Sequence, residues 1–130
     1  MAGFSDYLED KVLDHVFGGT AYTAPTTHYV ALYTVAPTDT GGGTEVSGGA
    51  YARQTSTFTV SGTSPTTATN AAAVEYPTAT ADYGTVVAVG IMDALTSGNL
   101  LAYANLDTSK PVTSGDVFRF DAGDLDITLA

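Results

Sequence analysis

The chain has 130 residues, with 14 acidic and four basic side chains, two histidines, no cysteine and a formal net charge of −10. Its length suits one domain, with a radius of gyration of about 14 Å. Lys11, Arg53, Lys110 and Arg119 are too few and too scattered to neutralise a run of phosphates, which excludes nucleic acid and anionic membranes as direct partners. The missing cysteine excludes disulfide frameworks and thiolate chemistry, and the acidity points to solubility, repulsion between free copies or a basic protein partner.

Residues 4–17 read as one short amphipathic helix, closed by Gly18 and Gly19. Phe4, Leu8, Val12 and Val16 recur at i,i+4 and form the main apolar stripe, while Leu13 and Phe17 fall on a second, nearly opposite patch. Two apolar faces predict two partners: the stripe against the β body or a sister subunit, and Leu13 with Phe17 against another neighbour. Ser5 suits the N-cap and Gly18 the left-handed position after the last turn. Asp6, Asp10 and Asp14 stack at i,i+4, where each like-charged pair costs about 0.2–0.5 kcal/mol. Such a column is ordinarily a solvated face; its functional reading is a face turned toward basic residues on another chain.

The acidic start of the chain, with Asp interleaved among its apolar residues, does not read as a signal peptide. No window approaches the run of about 18 apolar residues that a membrane span needs. Synthesis in a cytoplasm is the expectation.

Residues 20–27, around Pro25, read as a linker, so that 1–27 form a helical arm and 28–130 a β body. A first strand is predicted over 28–34, where apolar and polar residues alternate, followed by a long flexible Gly-rich loop over 41–49. Further strands are predicted over 50–60, 72–76, 85–92, 99–106, 116–120 and 125–129, separated by turn residues. The fold class that follows is mainly β: an antiparallel β-sandwich of jelly-roll type with one short N-terminal α-helix. Hydrophobic residues make up 44% of the chain, but Ala supplies much of that share, so each buries little area and assembly is expected to add stability.

No catalytic pattern emerges. His15 falls on the helix and reads as a hydrogen-bonded packing residue, and His28 as a residue at a strand's start. There is no G-x-S-x-G elbow, no H-E-x-x-H and no Gly-rich loop ending in Lys-Ser/Thr. Asp121-Ala-Gly-Asp-Leu-Asp126 gathers three carboxylates, which raises calcium, although Asp and Gly are ordinary turn formers and the spacing is not that of an EF-hand. The expectation is a protein without cofactor or enzymatic activity.

Four segments taken in order carry a resemblance: Ser5-Asp-Tyr-Leu-Glu-Asp-Lys-Val-Leu-Asp-His15 running into Gly18-Gly-Thr-Ala-Tyr-Thr-Ala-Pro25; Tyr29-Val-Ala-Leu-Tyr-Thr34; Gly48-Gly-Ala-Tyr-Ala-Arg53; and Gly90-Ile-Met-Asp-Ala94 with Gly98-Asn-Leu-Leu-Ala-Tyr-Ala104. Together they resemble a family of small tailed-bacteriophage and prophage virion proteins, often labelled tail fibre or structural protein, some of which look like capsid cement (decoration) proteins. The resemblance implies a cement protein on the outer capsid surface, bound to the major capsid protein as a homo-oligomer, with a trimer favoured. A tail or tail-tip adhesion module that binds host surface glycans is the alternative.

Overall fold

Strand β2 (His28–Val35) lies inside the largest sheet because its central residues, Val30 to Tyr33, are buried on both faces. The computed structural model describes residues 3–129. In it, β2 pairs antiparallel with β8 (Gly84–Met92), and β8 with β9 (Leu100–Val112). The other side of β2 takes the short strands β3 (Thr44–Glu45) and β4 (Gln54–Ser56), and β1 (Gly3–Phe4) closes the far edge on β9.

Register decides what each face of this six-stranded sheet does. The pairs Val30↔Ile91 and Leu32↔Val89 share one face, and Ala31↔Gly90 and Tyr33↔Ala88 the other. The first face forms the main core with Val74 of β7 (Val74–Glu75), Phe120 of β10 (Arg119–Phe120), Tyr76, Phe118 and Leu125. A three-stranded antiparallel sheet, ordered β11 (Asp126–Leu129), β6 (Thr66–Asn70) and β5 (Phe58–Ser61), adds Phe58 and Ile127 to that core. The molecule is thus mainly β and antiparallel, with one short N-terminal helix, as the sequence predicts. Its second layer is divided between β7–β10 and the three-stranded sheet.

Local departures from the predicted elements have physical reasons. The 50–60 segment is not one strand, because the chain leaves the main sheet after Ser56 and enters the three-stranded sheet at Phe58. Strand β6 went unpredicted: Thr66-Thr-Ala-Thr-Asn70 has no large apolar residue to reveal its alternation. The Gly-rich 41–49 segment is anchored rather than free, since Val46 is buried and its N–H donates to the Leu32 carbonyl at 2.9 Å.

Candidate functional site

The N-terminal arm is fixed at its root. Gly3 and Phe4 pair with Tyr103 and Ala102 as strand β1, so Phe4, expected at the head of the helical stripe, belongs instead to the main sheet. Ser5 follows, buried and extended, with its N–H donating to the Leu101 carbonyl at 2.8 Å and its hydroxyl to the Leu100 carbonyl at 2.5 Å. The same hydroxyl accepts from the Leu8 N–H at 3.2 Å and caps helix α1 (Asp6–Leu13), as the sequence predicts. The Asp6 N–H donates to the Asp39 carbonyl at 2.9 Å, tying the first turn to the loop after β2.

Along the helix, burial fades. Leu8 is half-buried against the main core together with Tyr7, and Val12 is half-buried. The chain then widens into a π turn over Asp14–Gly18, ended by Gly19 at φ +79°. Gly19, not Gly18 as the sequence suggests, takes the left-handed position, and the Asp14 carboxylate folds over Gly18, where a Cβ would lie 1.9 Å from its Oδ1 and turn it aside. The wide turn carries Val16 out of line with Val12. Leu13, Val16 and Phe17 are consequently exposed, by 59%, 60% and 82%. Both predicted apolar faces therefore contribute to one uncovered patch at the helix end. Uncovered large apolar side chains that cluster mark interaction surfaces more often than isolated ones do.

Acids run along the helix from its first turn to this patch. Asp6 and Asp10 are exposed and Asp14 is half-buried, and among the described residues none of the three forms an ion pair. Lys11, the helix's own cation, sits over the Tyr7 ring with its Nζ 5.6 Å from the centroid. The linker is held back on the helix as well: Tyr22 meets Tyr7 edge-on at 6.4 Å and donates its N–H to the His15 Nδ1 at 3.0 Å. That bond is what His15 does here, on an exposed turn rather than within a packed stripe. His28 rests edge-on against Phe58, with ring centroids 5.8 Å apart.

The acidic turn before β11 spends its carboxylates separately. Asp121 accepts from the Arg119 Nε at 2.8 Å, Asp124 from the Asp121 N–H at 2.9 Å, and Asp126 from the Thr69 hydroxyl at 2.8 Å. Among the described residues, no three His, Cys, Asp or Glu side chains converge as metal ligands would.

A family model described as podophage GP4 fiber I protein gp80 matches residues 3–128, nearly the whole chain. No curated protein matches the chain.

Proposed function

The chain belongs to the podophage GP4 fiber I protein gp80 family, and on that premise we propose that it is a non-catalytic structural subunit of the virion's fibre apparatus, attached through its N-terminal arm. The observation that carries this reading is the arm's contrast between root and end. Its root is fastened to β9 by β1 and Ser5, whereas Leu13, Val16 and Phe17 are exposed, with nothing over them among the described residues. A rigid base with an uncovered apolar tip suits a docking element that meets another virion protein. The non-catalytic part draws support from the two histidines, one holding the Tyr22 N–H and the other resting on Phe58.

Capsid cement on a lattice of the major capsid protein is the second reading. It is favoured by the absence of any internal repeat or heptad along which a fibre would gain length. Both readings use the same arm, and copy number separates them: quantitative mass spectrometry of purified virions should return a number set by the fibres, not by the shell lattice. A Leu13→Ser, Phe17→Ser double variant should fold normally yet be missing from particles. Full incorporation of that variant would overturn attachment through the arm.

A further inference from the structure

Residues 54–74, between Arg53 and Glu75, carry no charged side chain, in a chain of net charge −10. They include β5 and β6. Strand β6 is covered on both edges, by β5 and by β11, but β5 pairs only with β6 among the described residues. The Ala71 N–H donates to the Thr57 carbonyl at 2.9 Å, and this fixes the alternation along the ladder. With the register Phe58↔Asn70, Thr59↔Thr69 and Val60↔Ala68, Thr59 directs its N–H and C=O toward β6, while Phe58 and Val60 direct theirs outward.

An open edge of this kind is a template for another strand, and proteins normally blunt it with charge, proline or a bulge. The free edge of β9 beyond Tyr103 has all three: Asp107 and Lys110, Pro111, and a register shift between the pairs of Val86 and Ala88. Strand β5 has none. Its sequence is Phe-Thr-Val-Ser, and Val60 stands 67% exposed on it.

We propose that the free edge of β5 is a self-association surface, on which two copies pair β5 antiparallel across a two-fold axis. Phe58 then lies opposite Val60 of the second copy, and Thr59 opposite its own counterpart. Outward N–H and C=O groups of both residues are satisfied reciprocally, as a self-complementary interface requires. Two three-stranded sheets become one of six strands, and each Val60 gains a cross-strand aromatic neighbour.

Charge selects a second copy as the occupant. Two chains at −10 repel wherever acids face each other, so identical copies meet at least cost along a neutral segment. The acid of this sheet, Asp126, is on β11, two strands from the β5 edge. At about 4.8 Å per strand that is roughly 10 Å, about one Debye length at 0.1 M salt. The assembly is a two-fold dimer, not the trimer that the sequence resemblance implies.

The chain's lack of cysteine makes the test direct. Directly opposed residues of a non-hydrogen-bonded antiparallel pair have Cα atoms about 4.5 Å apart, within disulfide reach. The full-length Thr59→Cys variant should therefore form a disulfide-linked dimer under mild oxidation, whereas Thr108→Cys, on the blunted β9 edge, should not. By sedimentation equilibrium the unmodified protein should be dimeric. Val60→Lys adds a charge at an exposed position, and Val60→Pro deletes an outward N–H that β6 does not use; both should be monomeric with an unchanged circular dichroism spectrum and Tm. A protein that stays monomeric up to its solubility limit would overturn the proposal, including the case in which Val60→Lys is nonetheless lost from virions, since another protein would then hold that edge. So would a trimer, an oligomer that survives both Val60 variants, or a dimer that Thr59→Cys does not cross-link.

Discussion

Glu45 holds Arg53 by both carboxylate oxygens, with Oε1 2.8 Å from Nη2 and Oε2 2.9 Å from Nε. The remaining Nη1 donates to the carbonyls of Ala94 and Ser97, at 2.8 and 2.7 Å. Tyr51 completes the arrangement, its hydroxyl donating to the Glu45 Oε2 at 2.6 Å and accepting from the Leu32 N–H at 3.0 Å. One guanidinium, on a side chain only 7% exposed, thus fastens β3 to the turn that follows β8. The pair is partly buried, with the Glu45 side chain 25% exposed, so Arg53→Met, which leaves that carboxylate without its partner, should cost about 1–3 kcal/mol. Arg53→Lys should recover little of it, because an ammonium cannot reproduce the planar fork. Urea midpoints measure the loss, and faster amide exchange confined first to residues 94–99 would locate it.

The same cluster sets the acid limb of stability. Burial alone would raise the Glu45 pKa, but hydrogen bonds from Arg53 and Tyr51 outweigh it and hold the carboxyl below its ordinary value. A depressed folded-state pKa contributes stability that is present above the ordinary value of about 4.3 and is lost as pH falls through the folded one. At the alkaline end the sign reverses. Burial, and for Tyr51 the bond to Glu45, raises the Tyr51 and Tyr76 hydroxyls above their ordinary value. Their contribution is present below about pH 10 and is lost as pH rises toward the folded-state values. Urea midpoints should therefore decline at both extremes, and Glu45→Gln should flatten the acid limb; an unchanged acid limb in that variant would remove Glu45 from the account.

Gly90 lies under the Tyr33 ring. A Cβ at this position would come within 2.8 Å of the Tyr33 Cε1 and 2.9 Å of the Leu100 Cδ1. Gly90→Ala should accordingly destabilise by about 1–3 kcal/mol, as overpacking does. Tyr33→Leu in the same chain should return part of that loss; strictly additive effects in the double variant would show that the two residues are not coupled.

How far the sequence discloses this architecture depends on the range of each interaction. The strands over 28–34 and 85–92 are legible as strands, but the alternation read over 28–34 implies one buried face, whereas Val30 to Tyr33 are buried on both because β7, β10 and the three-stranded sheet cover one side and Met92 and Leu100 pack on the other. The Ser5 cap is legible because its partner is three residues away. Phe4 misleads, since its strand exists only by pairing with Ala102, a contact that no local pattern encodes. The exposed patch is half legible: Leu13 and Phe17 stand off the main stripe in any helix, but the exit of Val16 depends on the π turn and on the Asp14 side chain folding over Gly18. The open edge of β5 is hidden for a similar reason, because β6 has no apolar alternation to announce it.

Asn70 is buried and uses its amide fully. Its Nδ2 donates to the carbonyls of Ala72 and Asp121, and its Oδ1 accepts from the N–H groups of Gly123 and Leu125. It is the post around which the acidic turn before β11 is wound. Asn70→Ala removes four bonds at once from a side chain that is itself buried, one of them from the buried Leu125 N–H, and should cost about 3 kcal/mol, more than an ordinary hydrogen-bond deletion. A loss below about 1 kcal/mol, the scale of a single exposed bond, would mean that the turn holds without it.

The acidic column on α1 makes the last prediction, which concerns attachment rather than stability. Lys11 is occupied by the Tyr7 ring, so the charge of Asp6, Asp10 and Asp14 is left for a partner to meet. If that partner is basic, the arm's attachment has a screened electrostatic part and an apolar part contributed by Leu13, Val16 and Phe17. Raising salt shortens the Debye length from about 10 Å at 0.1 M to about 3 Å at 1 M, which weakens the first part and leaves the second. Retention on purified virions should therefore fall with added salt, and the Asp6→Asn, Asp10→Asn, Asp14→Asn triple variant should attach weakly at low salt with little further dependence on it. Retention that ignores both salt and the triple substitution would return the column to an ordinary solvated face. The apolar tip would then be the whole of the dock, and Phe17→Ser, at the most exposed of its three large side chains, should release the protein at every salt concentration.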